Sequence, residues 1–195
     1  MNRSLYFLLF LTSLTSSVAF SQQNQSIEVK EYVLKNGLTV MLNENSESSN
    51  IYGVVGVKAG GKNDPKDATG IAHYLEHVLF KGTQELGTTD YESERVYLDS
   101  ISKLYEILSE KKSEEKRSII QKEINRISIK ASQYAIPNEL DKLLKQMGGL
   151  DINAFTNEDY TAYYNSFPPN QINRWLEIYS HRFQNPVFRL FQSEL

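Results

Sequence analysis

Two of the chain's three histidines, His73 and His77, lie four residues apart with Glu76 between them. On an α-helix this spacing places both side chains on one face, so that the two imidazoles can converge on one point. A neutral imidazole pair of this kind is a usual way for a helix to hold a zinc ion. Glu76 lies toward the edge of that face, where its carboxylate could act as general base for a water molecule polarised by the metal. The three residues therefore predict a zinc site with hydrolytic chemistry.

A purely structural role for these histidines fits the pattern less well. A core histidine would share the apolar stripe of the helix, which we expect on the opposite side: Ile71, Tyr74, Leu75 and Val78. The remaining histidine, His181, stands beside Arg182 on a predicted amphipathic helix and is expected at the surface. A metal site at His73 and His77 is the favoured interpretation.

The composition limits the other classes of function. The 195 residues suit one domain of ordinary size, and 40% hydrophobic with 23% charged residues is typical of a globular chain. The net charge of −3 provides no basic field, so nucleic acid is not an expected partner. The chain has no cysteine, which excludes thiolate metal sites, disulfides and thiol catalysis.

Residues 1–21 have the pattern of a secretory signal peptide. A short positive region at Asn2-Arg3 precedes an apolar stretch diluted by serine and threonine, and Ala19 and Ser21 have the spacing of a cleavage site before Gln22. An uncleaved N-terminal anchor is the alternative. We expect an exported protein, periplasmic or secreted, with no stable membrane span after cleavage.

The first half of the remaining chain predicts a hairpin, a strand, a helix and a helical hairpin. Residues 28–42 alternate around Asn36-Gly37, which favours a β-hairpin with a type I′ turn. Ile51–Val57 is a nearly continuous apolar run, typical of a strand buried on both faces. The helix with the two histidines is expected over residues 69–80. Two charged helices should follow, joined by a solvated turn at residues 110–117.

The second half alternates helices and strands. Asn138 is expected to cap a helix that stops at Gly148-Gly149. Strands are predicted over residues 151–155 and 160–167, then a helix that begins after Pro168-Pro169 and ends at Asn185-Pro186. A further helix is expected to begin within residues 188–195. This mixture predicts an α+β domain.

Three segments carry a resemblance to a known family: GIAHYLEHVLFKGT at residues 70–83, GGLDINAFTNEDYTAYY at residues 148–164, and NPVF at residues 185–188. They resemble the pitrilysin/insulinase family of zinc metallopeptidases, the inverzincins with a His-x-x-Glu-His motif, which also includes the mitochondrial processing peptidases. The similarity runs from Val29 to Leu195.

The resemblance implies a zinc metalloendopeptidase acting on oligopeptides or unfolded segments, and a mixed β-sheet flanked by helices. It implies that His73 and His77 ligate Zn²⁺ and that Glu76 is the catalytic base. It also implies that substrate peptide adds as a further strand to one edge of the sheet, at the strand that holds Asn153, Ala154, Phe155 and Thr156.

The chain departs from the family pattern in two places. Residues 91–137 are longer than the segment that usually links the family's two motifs, and they look like an inserted helical hairpin. The third zinc ligand, the second member of a Glu-x6-Glu pair, is expected beyond Leu195, and Glu194 matches the first member, a carboxylate that supports the ligands. Residues 22–195 are then an N-terminal metallopeptidase lobe, incomplete at its C-terminus and expected to be inactive alone. A C-terminal half or a partner chain of the same fold should complete it.

Two other functions compete with this interpretation. Residues 56–62 match the G-x-x-x-x-G-K pattern of a phosphate-binding loop, but Asn63 replaces the required serine or threonine and Asp64-Pro65 prevents an immediate helix. A non-catalytic peptide-binding or scaffold subunit of the same fold is the second alternative. It would be expected to lack Glu76 or a histidine, and all three residues are present.

Overall fold

The computed structural model describes residues 28–190 and residue 192, so the predicted signal peptide and Glu194 lie outside the described residues. The chain divides into two compact units between Ser46 and Glu47. Within the described ranges, no helix combines the length and the apolar character that crossing a membrane requires.

The first unit contains the predicted β-hairpin, formed by β1 (Val29–Val33) and β2 (Thr39–Asn43) in antiparallel register. Its turn differs from the predicted type I′ geometry. Of the Asn36-Gly37 pair only Gly37 has a positive φ, 85°, and its amide donates to the Leu34 carbonyl at 2.9 Å. Asn36 instead accepts a hydrogen bond from the Leu38 amide through its side chain, at 3.1 Å. A β-turn followed by a left-handed glycine therefore closes the hairpin.

The second unit is built on an antiparallel sheet of three strands. These are β3 (Ile51–Val57), β4 (Leu150–Thr156) and β5 (Thr161–Phe167), in the order β3-β5-β4. The α+β class is confirmed. All strand pairs within residues 28–190 are antiparallel, so these strands lack the parallel pairing that a mixed sheet requires.

β3 is not buried on both faces, as its apolar run had predicted. It is an edge strand whose outward side chains Tyr52 and Val54 are 60% and 51% exposed. The other face packs closely, because a Cβ at Gly53 would lie 2.6 Å from the Trp175 ring. The larger core lies on that face and joins β4 and β5 to α1, α4 and α5. Its buried members are Leu79, Leu140, Leu144, Met147, Ala154, Tyr163, Phe167, Trp175, Ile178 and Tyr179.

Five α-helices complete the second unit, and each predicted helix up to residue 184 is confirmed, most of them with shifted limits. They are α1 (Ile71–Val78), α2 (Tyr91–Glu110), α3 (Glu114–Ser132), α4 (Glu139–Gln146) and α5 (Ile172–Gln184). The turn between α2 and α3 is shorter than predicted, because both helices extend into the charged segment. Of the helix expected within residues 188–195, Phe188, Arg189 and Leu190 are not helical, and most of the rest lies outside the described residues.

The predicted limits of α4 are right, but the predicted cap is not. Asn138 precedes the helix in the left-handed conformation, with φ 57°, and its side chain makes no capping hydrogen bond. Its backbone carbonyl accepts from the Lys142 amide instead, at 3.0 Å. Gly148, with φ 82°, ends the helix as expected and leads the chain into β4.

Candidate active site

His73 and His77 converge on one point beside α1. Their Nε2 atoms lie 3.2 Å apart, and the two exposed rings meet edge to face with centroids 4.8 Å apart. Two nitrogen ligands of a tetrahedral zinc ion, each at about 2.0–2.1 Å, are separated by about 3.3 Å. The donor set of the two imidazoles therefore fits zinc.

The opposite side of α1 differs from the prediction. Val78 is buried, but Ile71 and Leu75 are 46% and 40% exposed. The residue that turns inward with Val78 is Glu76, which is only 8% exposed. The Glu76 carboxylate is thus turned toward the sheet, because α1 packs on β4 and β5.

The Glu76 carboxylate is oriented by the sheet. Its Oε2 accepts a hydrogen bond of 2.7 Å from the Thr156 hydroxyl at the end of β4. The Thr156 oxygen also lies 3.2 Å from that of Thr161, which donates to the Ala59 carbonyl at 2.9 Å. Thr156 was predicted only as part of the substrate edge, and its contact with Glu76 was missed. Nothing in the sequence spacing indicates a contact between residues 80 positions apart.

The predicted substrate edge is a free edge within the described part of the chain. β4 pairs with β5 on one side and has no strand on the other. Ala154 is buried, and Asn153 accepts a hydrogen bond from the Ala154 amide at 2.9 Å. The Phe155 ring is 40% exposed and packs against Tyr160, with centroids 5.5 Å apart. The structure thus places Glu76 next to one end of a strand whose outer edge has no partner among the described residues.

Asp64 fixes the start of α1. Its carboxylate accepts hydrogen bonds from the Gly70 amide at 2.6 Å and from the Ala72 amide at 2.9 Å. These are orphan donors at a helix N-terminus, where a negative charge is favourable. The sequence indicated Asp64 only as a break before the helix, because a capping aspartate is expected immediately before the first helical residue and Gly70 occupies that position.

Arg182 and Tyr163 lie in the core behind α1. Arg182 is 1% exposed and its Nε donates to the Leu79 carbonyl at 3.0 Å. Burial raises the pKa of Tyr163 to about 12, although the nearby Arg182 cation acts in the opposite direction. The sequence contains a signal for the burial of Arg182. The residue shares the apolar face of α5 with Trp175 and Ile178, where a surface arginine is not expected.

Within residues 28–190 and residue 192, no set of three or more histidine and carboxylate side chains comes together to hold a metal. The two imidazoles are therefore the metal donors that the structure brings together. The predicted role of Glu194 concerns a residue outside the described ones.

The phosphate-loop alternative is not supported. The Gly61 amide donates to the Asn157 carbonyl at 2.9 Å, and the Lys62 amide donates to the Glu158 carbonyl at 3.0 Å. Backbone amides that would cradle a phosphate are thus already bonded to the β4–β5 turn, and only a short 3-10 turn, Gly61–Asn63, follows. The segment serves as the connection between β3 and α1.

The family model described as "Insulinase (Peptidase family M16)" matches residues 39–98 and 124–194. The unmatched stretch between them falls inside the hairpin of α2 and α3.

Named relatives and a solved structure agree with that match. The chain is 36% identical over 67 residues to "Putative zinc protease mug138" of Schizosaccharomyces pombe, covering 34% of this chain and 7% of that protein. It is 23% identical over 160 residues to "Uncharacterized zinc protease YmxG" of Bacillus subtilis, covering 82% of this chain and 27% of that protein. A protease from Helicobacter pylori has the same fold, with a TM-score of 0.57 and 23% identity over 86% of this chain and 29% of that one.

The chain thus spans at most about a quarter of the length of these curated relatives. The family model nevertheless matches well over half of the chain and includes the helix with both histidines and the β4 edge. The chain belongs to the insulinase family of peptidases, peptidase family M16.

Proposed function

We propose that this chain supplies the metal-binding helix, the general base and the substrate strand of a zinc-dependent endopeptidase. The observation that carries the proposal is the convergence of the His73 and His77 Nε2 atoms, 3.2 Å apart, on a helix that also carries the buried Glu76. The zinc proteases among its relatives support the same chemistry.

In this proposal His73 and His77 hold Zn²⁺ through Nε2, and a carboxylate beyond Leu195 supplies the third ligand. A zinc ion in such a site acts as a Lewis acid and lowers the pKa of a water molecule. The imidazoles leave the 2+ charge unbalanced, which is why a carboxylate is the expected third donor. Glu194 would support that ligand by hydrogen bonding.

Glu76 acts as the general base. Its Oε2 is held by the Thr156 hydroxyl, at 2.7 Å, which leaves Oε1 to accept a proton from the attacking water and pass it to the leaving amine. Burial of the carboxylate against β4 keeps it in one orientation, so that little reorganisation is needed when substrate arrives. The presence of all three residues in this geometry favours catalysis over a scaffold role.

The substrates proposed are oligopeptides and unfolded segments. An extended peptide could pair through its main chain with the free edge of β4, at Asn153 to Thr156, and bring one of its peptide bonds beside Glu76. Compact folded proteins lack such a segment and should resist. A second half of the same fold, in the same chain or in a partner chain, would complete the binding surface. The pattern of residues 1–21 supports an exported enzyme.

The test uses the full-length protein and a quenched fluorescent peptide. His73→Ala and His77→Ala should each lose zinc and activity. Glu76→Gln should keep stoichiometric zinc while hydrolysis falls about a hundredfold to ten-thousandfold, because only proton transfer is removed. His181→Ala is the matched control, since His181 lies elsewhere and pairs with Glu85 at 3.5 Å. It should keep zinc and activity.

Two outcomes would contradict the proposal. Parallel loss of zinc and activity in Glu76→Gln would make Glu76 a ligand instead of the base. Full hydrolysis in a zinc-free His73→Ala variant would place the chemistry elsewhere and end the proposal.

A further inference from the structure

Arg182 is a buried cation surrounded by aromatic rings. Its guanidinium carbon lies 4.2 Å from the Phe80 ring centroid and 4.4 Å from that of Tyr163. The rings of Tyr179 and Phe183 lie at 5.4 and 5.8 Å. Among the described residues, no acceptor meets hydrogen-bond geometry with Nη1 or Nη2. The side chain therefore contributes a buried charge, and the faces of the surrounding rings stabilise it.

The polar contact that Arg182 makes through Nε falls on the end of α1. Nε donates at 3.0 Å to the carbonyl of Leu79, which caps the helix immediately after Val78. The last carbonyls of a helix lack intrahelical donors and carry a negative partial charge, so a cation is favourable there. Arg182 thus binds two residues beyond His77 and three beyond Glu76.

Filling space does not explain a guanidinium at this position. Burial lowers the pKa of Arg182, although the Tyr179 and Tyr163 phenols and the Glu76 carboxylate raise it. An apolar side chain of similar length would occupy the same volume without desolvating a charge. Arginine adds two oriented contacts. Its Nε donates a hydrogen bond to the Leu79 carbonyl, and its planar guanidinium lies over the Phe80 ring.

Arg189 offers an internal comparison. It is also buried, at 2% exposure, but all its nitrogens have acceptors. They donate to the Glu94 carboxylate and to the carbonyls of Lys81, Thr83 and Leu86. Arg189 therefore fastens the segment after α1 to the start of α2, whereas Arg182 contacts α1 itself.

We infer that Arg182 is a positioning residue that holds the C-terminal end of α1, and with it Glu76 and His77, against the sheet. Asp64 holds the opposite end of α1 through the Gly70 and Ala72 amides. The short helix is thus fixed at both ends by side chains from outside it. The catalytic consequence of this inference rests on the proposed function, whereas the clamp on α1 does not.

The experiment compares Arg182→Met and Arg182→Lys with the control Arg189→Lys in the full-length protein. Amide hydrogen exchange of residues 77–81 is measured in the metal-free protein. Metal geometry is read from the visible absorption of the cobalt-substituted protein. kcat and KM for a peptide are then measured per folded, zinc-loaded molecule.

Arg182→Met should accelerate exchange at residues 77–81, change the cobalt spectrum and lower kcat about tenfold to a hundredfold. KM should stay within about twofold, because the β4 edge is untouched. Arg182→Lys keeps the charge without the stacked plane and should fall in between. Arg189→Lys should lower the thermal midpoint while kcat and the cobalt spectrum stay as in the wild type.

Wild-type exchange and kcat in folded Arg182→Met would overturn the inference. Should that variant not fold, a wild-type spectrum and kcat in Arg182→Lys would overturn it equally. Identical effects of the Arg182 and Arg189 variants would also overturn it, because stability alone would then explain both. If the wild-type protein bound no zinc and hydrolysed no peptide, the proposed function would be wrong. The hydrogen-exchange data would still decide whether Arg182 holds the end of α1.

Discussion

Two helical regions of the larger unit are stabilised in opposite ways. α2 and α3 form a hairpin with a core of its own, whose buried members are Ile101, Leu108, Ile124 and Ala131. α1 has only eight residues and leaves two of its apolar side chains, Ile71 and Leu75, largely exposed. A helix of that length is marginal in isolation.

The difference shows where the geometry of the candidate site comes from. Three contacts from outside α1 fix it: Asp64 at its start, Thr156 on the Glu76 carboxylate, and Arg182 at its end. The hairpin also has such a contact, from Arg189 to Glu94 at the start of α2, but its two helices bury each other. The proposed chemistry therefore lies on the element whose position the rest of the unit imposes, and changes in the hairpin should leave the site intact.

The largest expected effect tests the independence of the hairpin. Ile124 is 0% exposed, so Ile124→Ala should lower the free energy of unfolding by about 3 kcal/mol through lost burial and a cavity. Ile119→Ala, on the same helix at 62% exposure, is the control and should change it by less than about 0.5 kcal/mol. Urea denaturation measures both, and zinc content should be unchanged. Zinc affinity that falls together with hairpin stability would show that the two regions are not independent.

The next effect concerns the hydrogen bond from Thr156 in β4 to Glu76 in α1. Thr156→Val keeps the shape of the side chain but leaves the buried Glu76 Oε2 without its donor, at a cost of about 1.5–3 kcal/mol for a hydrogen bond to a charged group. Peptide hydrolysis should fall about tenfold or more while zinc content stays constant. Thr156→Ser, which retains the hydroxyl, should remain close to the wild type. A serine variant as slow as the valine variant would show that the hydroxyl bond to Glu76 does not account for the effect.

The sequence predicted the elements well where periodicity alone defines them. α2, α3 and α5 follow apolar spacing along the chain, and the predicted α+β class is confirmed. The burial of β3 was predicted wrongly, because an apolar run does not reveal that Tyr52 and Val54 face away from the side of the sheet that carries the core. The hairpin turn was wrong for a similar reason, since Asn-Gly is compatible with more than one turn geometry.

For the candidate site, the sequence predicted the convergence of His73 and His77 because helical geometry fixes it over four residues. It could not predict that Thr156 orients Glu76 or that Arg182 binds the end of α1. Both contacts join residues far apart in the chain, and only the packing of α1 and α5 on one face of the sheet brings them together. The roles of Glu194 and of a third ligand remain predictions.

A smaller effect is expected at the start of α1. Asp64→Asn removes the charge that accepts from the Gly70 and Ala72 amides and should lower the free energy of unfolding by about 1 kcal/mol. Amide exchange at the first turn of α1 should accelerate, while the hairpin stays protected. Asp67→Asn, at an exposed position of the same loop, should change neither quantity. Equal effects of the two variants would mean that net charge, and not the cap, is responsible.

The smallest effect is a pH dependence at the start of α2, outside the proposed catalytic residues. Hydrogen bonds from the Ser93 hydroxyl and amide, at 2.6 and 3.1 Å, hold the pKa of Asp90 below its ordinary value. A lowered folded-state pKa contributes stability above the unfolded-state pKa of about 3.9, and that contribution is lost as the pH falls through the folded-state value. Asp90→Asn should therefore melt slightly below the wild type at about pH 7, and the gap should narrow progressively as the pH falls below about 3.9. Glu106→Gln, exposed on the same helix, should show no such convergence. A gap that persists in acid would assign the difference to packing of the amide instead of the charge of the carboxylate cap.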